Sequence, residues 1–194
     1  MPSLPSVVLL ALGVSVLATG TYAYSTTGVG RGASPISGRT ARHQPTPKSQ
    51  LGVVSQMVAN TRIEITYRRP VARGRTLFGA LVPWGRVWSP SSDTAARVTI
   101  SGPVEINSQH LDVGSYSLWA IPDSSAWTVI FSKVPSVFHT RYPSGQDALR
   151  ITVPPVPGEH TETLAFAFPM VDADSAVLQL RWGKTVVPMM IRAK

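Results

Sequence analysis

The stretch Arg62-Ile63-Glu64-Ile65-Thr66-Tyr67 decides the fold class, because its polar and apolar residues alternate strictly. Such alternation places the apolar side chains on one face of a β-strand and the polar ones on the other. Similar short apolar runs recur at 98–100, 104–106, 116–121, 127–132, 149–153, 164–168, 178–182 and 186–191. Between Leu51 and Lys194, no ten consecutive residues carry the apolar stripe of a helix.

Turn-forming residues separate these runs. They are Ser101-Gly102-Pro103, Pro122-Asp123, Pro154-Pro155, Asp172-Ala173-Asp174 and Gly183-Lys184. Short strands between regular turn signals are typical of antiparallel sandwiches and barrels. We therefore predict an all-β fold, an antiparallel β-sandwich (jelly-roll-like or Greek key) of about ten short strands. The aromatic residues of these runs are expected to form much of its core, namely Trp127, Phe131, Phe166, Phe168 and Trp182.

The chain divides into three zones by composition. Residues 1–24 contain the apolar run Val7–Ala18, whose length suits the roughly 7–15 residues of a signal-peptide core, with cleavage sites offered at Ala18 and Ala23. The charge-free stretch Leu4–Tyr24 is also near the length of about 20 residues that a membrane helix needs. We predict a signal peptide or membrane anchor, and hence export to the periplasm, cell envelope or exterior. A buried core helix is the alternative.

The other two zones are a linker and a folded domain. Residues 25–50 are rich in Ser, Thr, Gly and Pro, a composition that cannot bury enough apolar surface to offset ordering entropy, so a disordered linker is predicted. Residues 51–194 form the predicted β-sandwich domain. Contact with a membrane is expected only through the N-terminal segment.

The net charge of +8, from 18 basic and 10 acidic residues, is concentrated at the start of the chain. Residues 1–50 carry four bases and no acid, residues 51–75 carry five bases and one acid, and residues 77–194 carry nine of each. Nucleic-acid-binding proteins usually spread basic side chains over a face or along a helix, so no nucleic-acid partner is predicted. The lack of Cys excludes disulfides and thiol catalysis.

Familiar site motifs are not found. Gly183-Lys184-Thr185 looks like the end of a phosphate-binding loop, but Leu178 occupies the position of its first glycine and an apolar strand follows, so a hairpin turn is predicted. The histidines His110, His139 and His160 lie too far apart for a local zinc motif. Neither a metal nor a cofactor is predicted.

One segment, residues 67–93, differs from the rest: YRRPVARGRTLFGALVPWGRVWSPSSD. Five arginines interleave with Phe78, Trp84 and Trp88. Arginine offers a planar fork for carboxylate, phosphate or sulfate, and tryptophan offers a flat face for a sugar ring or a cation. We predict a binding groove, whose candidate ligand-binding residues are Arg69, Arg73, Arg75, Trp84, Trp88 and Asp93. The alternative is a long connection pinned by its own aromatics, with some arginines bonded to buried carbonyls.

The same segment begins a series of motifs that continues through the domain. They are Tyr67-Arg68-Arg69-Pro70, Arg73-Gly74-Arg75, Phe78-Gly79-Ala80-Leu81-Val82-Pro83-Trp84-Gly85-Arg86-Val87-Trp88, Leu111-Asp112-Val113-Gly114-Ser115-Tyr116-Ser117-Leu118, Ile121-Pro122 and Trp127-Thr128-Val129-Ile130-Phe131. In this order they resemble the bacterial domain-of-unknown-function 2911 family, roughly from Val54 to Ile191. The resemblance implies an exported, β-rich protein without an established activity.

The sequence departs from the family pattern after Trp88. Where the family usually continues with Arg and a Gly-Ala-Asn-like turn, this chain has Ser89-Pro90-Ser91-Ser92-Asp93. Only the last position, Asp93, resembles the usual Asn or Asp. If that turn carries the family's site, this chain has lost or altered it.

Two functions remain open from the sequence. The first is a non-catalytic envelope or extracellular module that binds a small anionic or carbohydrate ligand, or an envelope protein partner, through the candidate residues. The second is a hydrolase using Asp93 or His139 with loop hydroxyls, which requires both side chains to converge in one concave pocket.

Overall fold

The computed structural model of the protein describes residues 46–194. The predicted leader and most of the predicted linker lie outside these residues. The described part contains ten strands and no helix, which confirms the all-β prediction. The strands are β1 Gln50–Val58, β2 Thr61–Arg69, β3 Ala96–Ile100, β4 Val104–Ile106, β5 Gln109–Leu111, β6 Gly114–Ile121, β7 Trp127–Ser132, β8 Asp147–Val153, β9 Val156–Val171 and β10 Ser175–Ala193.

The strands form two antiparallel sheets. The larger has the order β1-β2-β3-β6-β7-β8, and the smaller has the order β5-β4-β10-β9. The main core cluster draws buried side chains from both sheets, such as Ile65 on β2, Phe131 on β7 and Leu178 on β10. Most of the aromatic residues predicted for the core are buried; Phe168 packs against the core but is only partly buried.

The four-stranded sheet departs from the prediction of short strands, because β9 has 16 residues and β10 has 19. The hairpin turn predicted at Gly183-Lys184 is wrong, since both residues lie inside β10. Gly183 has a φ of +59° and stands between two shifts in the β9–β10 register. A glycine at positive φ can form a bulge as well as a turn. Gly183 therefore marks an irregularity inside β10 and not the end of a strand.

The connection between β2 and β3 contacts both sheets. Val71 forms a bridge with Thr163 on β9, and the amide of Leu164 donates to the carbonyl of Pro70 at 2.9 Å. Farther along, Trp88 and Ala120 on β6 exchange two backbone hydrogen bonds of 2.8 and 2.7 Å. These hydrogen bonds fix both ends of the Arg- and Trp-rich connection, which lies between β2 and β3. Residues 46–194 contain no helix long and apolar enough to cross a membrane.

Candidate functional site

The basic groove is a concave site of about 490 Å³ built largely from the β2–β3 connection. Its charged and aromatic lining residues are Lys48, Arg73, Arg75, Trp88, His139 and Trp182, and Ser91 and Ser92 contribute hydroxyls. Among residues 46–194, no Asp or Glu lines the groove. Ligand sites in proteins commonly have volumes of about 300–1,000 Å³. The groove can therefore hold a small molecule and favours a negative one.

A stacked pair of tryptophans, the partly exposed Trp88 and the buried Trp182, forms the aromatic side of the groove. The rings of Trp88 and Trp182 lie 5.9 Å apart and are inclined by only 7°. Phe78 packs edge-on against both at 6.1 Å, and Trp182 Nε1 donates to the carbonyl of Glu162 at 3.3 Å. Because Trp182 is only 2% exposed, the aromatic surface open to a ligand is that of Trp88, whose ring is held in place by Trp182 and Phe78.

Arg73 is the candidate arginine whose side chain remains available. It adopts a left-handed backbone with φ +53°, and its amide donates to Glu162 Oε1 at 2.6 Å. Among residues 46–194, its guanidinium has neither a hydrogen-bond nor an ion-pair partner. A left-handed backbone costs a non-glycine residue roughly 1–2 kcal/mol. This geometry therefore presents a cation at the groove at a cost in stability.

Arg75 and Arg69 are held by backbone carbonyls instead. Arg75 Nε donates to the carbonyl of Ala72 at 2.8 Å, and its Nη2 donates to that of Val71 at 2.6 Å. Arg69 Nε donates to the carbonyl of Leu164 at 3.1 Å, across to the four-stranded sheet. Arg75 still lines the groove, whereas Arg69 does not. The alternative from the sequence, in which some arginines donate hydrogen bonds to backbone carbonyls, therefore applies to Arg69 and Arg75.

Trp84 is separated from the basic groove. It lines a smaller cleft of about 240 Å³ and is 46% exposed. Gly79 lies directly against its indole, since a Cβ at that position would stand 2.5 Å from Trp84 Nε1. The structure therefore divides the two predicted tryptophans between two concavities.

Asp93 also lies outside the groove lining. Its Oδ2 pairs with Arg68 Nε at 3.3 Å, and its own carbonyl accepts a hydrogen bond from the His139 amide at 3.0 Å. The hydrolase hypothesis needs Asp93 and His139 to converge in one pocket. The backbones meet, but of the two only His139 lines the groove, together with the hydroxyls of Ser91 and Ser92.

The departure from the family pattern at 89–93 has a structural explanation. Ser89 is buried; its Oγ donates to the carbonyl of Leu118 and accepts from the amide of Ala96, both at 3.2 Å. Ser91 Oγ accepts from the amide of Arg68 at 2.9 Å. Both hydroxyls attach the turn to neighbouring segments of the six-stranded sheet, and Ser91 also gives the groove polar lining.

Three groove residues were not predicted from the sequence. Trp182 was predicted for the core, which its burial confirms, although it also lines the groove. Lys48 was assigned to the linker, and His139 only to the hydrolase alternative. Each comes from a segment distant in sequence, so no local pattern linked them to Arg73. His139 Nδ1 is one of three buried side-chain nitrogens in the described part without a hydrogen-bond partner; Trp127 Nε1 and Arg181 Nε are the others. In the same part, no cluster of acidic and histidine side chains could hold a metal.

Comparison with known proteins assigns the chain to a family without assigning it an activity. No curated protein and no solved structure matches it. A family model with the description "Protein of unknown function (DUF2911)" matches residues 49–191, which covers nearly all of the described domain and confirms the resemblance seen in its motifs. The chain belongs to this family.

Proposed function

We propose that the domain is a non-catalytic binding module and that the basic groove takes a small ligand carrying both an anionic group and a flat ring. The proposal rests on one observation: the lining combines Lys48, Arg73 and Arg75 with the stacked Trp88–Trp182 pair, and no carboxylate of the described residues lines it. The anionic group would contact the cations, and the ring would lie against the exposed part of Trp88.

Energetics explain why both features of the ligand are needed. Exposed ion pairs contribute about 0.2–1 kcal/mol each, so three cations supply at most about 3 kcal/mol. Covering ~100 Å² of apolar ring surface adds about 2.5 kcal/mol at roughly 25 cal/mol per Å². Before ordering costs are subtracted, the sum corresponds to a Kd of about 0.1 mM. An anion without a ring would bind still more weakly.

The conformation of Arg73 supports a binding function. Asn, Asp or Gly would be the usual residue at a left-handed turn position, yet an arginine stands there with its guanidinium unpaired among the described residues. Strained backbone conformations cluster at functional sites. The bond from the Arg73 amide to Glu162 holds the turn, while the guanidinium, which has no hydrogen-bond or ion-pair partner among the described residues, interacts with that carboxylate only through its charge.

Calorimetric titration of the full chain with phenyl phosphate, benzoate and p-nitrophenyl phosphate tests the proposal. We expect binding that weakens as salt is added, because exposed charges are screened. Arg73→Ala should raise the Kd by up to about fivefold, the factor that corresponds to the roughly 1 kcal/mol of one exposed ion pair. Release of p-nitrophenolate would instead favour the hydrolase alternative.

Arg86→Ala is the matched control, because Arg86 is an exposed arginine of the same connection that does not line the groove. It should bind the probes as the wild type does. The proposal fails if no probe binds, or if Arg73→Ala and Arg86→Ala have equal effects.

We further propose that the protein acts outside the cytoplasm. The support is the apolar run Val7–Ala18, which has the length of a signal-peptide core. An envelope protein partner remains part of this proposal.

A further inference from the structure

We propose a second, independent site in which the cleft beside Trp84 binds one neutral sugar ring. The cleft is defined by Trp84, the turn Asp123-Ser124, the segment 155–157 and the pair Lys184-Thr185. In the part of the chain that the structure describes, the cleft and the basic groove have no lining residue in common. The sequence suggested an anionic or carbohydrate ligand for a single groove. We assign the anionic ligand to the basic groove and the carbohydrate to the cleft beside Trp84.

Trp84 provides a rigid platform in this cleft. Its indole lies against Gly79 and packs on Phe78 at 6.1 Å with an inclination of 33°. The amide of the next residue, Gly85, donates to the carbonyl of Pro122 at 2.9 Å, and the Gly79 amide donates to that of Val82 at 2.9 Å. The negatively polarised face of an aromatic ring attracts the positively polarised C–H groups of a sugar. A platform fixed in advance loses little entropy on binding.

The charges of the cleft favour a neutral ligand. Asp123 would repel an anion and Lys184 would repel a cation, whereas a sugar hydroxyl can donate to the first and accept from the second. Asp123 accepts all three of its hydrogen bonds, from Ser124 and Ser125, at Oδ1, which leaves Oδ2 unpartnered among residues 46–194. Those bonds, chiefly from the Ser125 amide, lower the pKa of Asp123, so it is ionised at neutral pH.

The size of the cleft limits the ligand to one ring in contact. Its volume of about 240 Å³ lies below the roughly 300–1,000 Å³ of sites for drug-sized molecules. Pro155 and Pro157 form a stiff apolar wall. Trp127, whose buried Nε1 has no partner in the described part, also lines the cleft.

The test is saturation-transfer difference NMR of the full chain with glucose, galactose, mannose and N-acetylglucosamine, with glucuronate as the charged comparison. At least one neutral sugar should receive saturation, with little dependence on salt. Trp84→Ala should weaken binding about tenfold or more, as for a central aromatic anchor. Phe138→Ala is the matched control, since Phe138 is an aromatic residue of similar exposure, 50%, that lines neither site.

Variants separate this site from the basic groove. Arg73→Ala should leave neutral-sugar binding unchanged, and Trp84→Ala should leave phenyl phosphate binding unchanged, so either proposal can fail without the other. If Trp84→Ala does not fold, Asp123→Asn and Lys184→Met decide, because both retain the indole. The inference is overturned if none of the four sugars binds, or if binding survives these substitutions or depends on Arg73.

Discussion

At the scale of single residues, the protonation state of Glu162 affects Arg73, a residue that lines the basic groove. Its carboxylate accepts hydrogen bonds from His160 Nε2 at 2.9 Å and from the Arg73 amide at 2.6 Å. These partners, His160 first, hold the pKa of Glu162 below its ordinary value of 4.5. One side chain thus sets the backbone position of the one candidate arginine whose guanidinium is unpaired in the described part.

This contact predicts a pH-dependent contribution to stability. Because the folded-state pKa of Glu162 is the lower one, the contribution is present above the unfolded-state pKa and is lost as the pH falls through the folded value. We expect Glu162→Gln to lower the Tm at about pH 7 and the difference from wild type to shrink towards about pH 3. Thermal denaturation of both chains across that range measures it, and a pH-independent difference would contradict the assignment.

The roles of individual residues were the least predictable part of the site. The sequence identified Arg73, Arg75 and Trp88 as candidates, and these three line one groove. It could not separate them from Arg69, because the carbonyl that binds Arg69 belongs to Leu164, which is distant in sequence. Arginines that look equivalent in the sequence therefore have different hydrogen-bond partners, because those partners lie in distant segments of the chain.

At the scale of elements, Gly183 links β10 to the Arg- and Trp-rich connection. A Cβ at this position would lie 2.9 Å from Cδ1 of Leu77, a buried residue of that connection. Period-two patterning predicted the strands on both sides of Gly183. It could not show that they are one strand, since a bulge and a turn use the same glycine signal.

Gly183→Ala should destabilise the domain by about 1–3 kcal/mol, because a left-handed alanine is strained and Leu77 must move. Urea denaturation measures the change. Gly145→Ala is the matched control, since Gly145 also has a positive φ, +79°, but no atom within 4 Å of the added Cβ. Equal losses in the two variants would show that the Leu77 contact contributes nothing.

At the scale of the whole molecule, the all-β class and the two-sheet architecture followed from apolar alternation alone. Where the strands pair could not be predicted, because register and sheet order depend on contacts between distant segments. The same limit applies to the groove, which is assembled from residues 48–49, 70–92, 139–140 and Trp182.

The proposed export predicts that the mature protein is shorter than the full chain. If residues 1–24 are a signal peptide, protein recovered from the periplasm or medium of a bacterial host should lack residues up to Ala18 or Ala23. Intact-mass spectrometry of that fraction measures it. Recovery of only the full-length mass from a membrane fraction would indicate the anchor instead, and full-length protein in the cytoplasm would contradict export.

The point where the chain enters the domain has a practical consequence. Lys48 and Ser49 stand at the rim of the groove, and Ser49 Oγ donates to Ser92 Oγ at 3.2 Å. A purification tag or fluorophore attached just before Lys48 would therefore lie next to the opening of the basic groove and would obstruct ligand binding there. Lys194, which pairs with Glu105 away from that rim, is the safer position for immobilising the protein in a ligand screen.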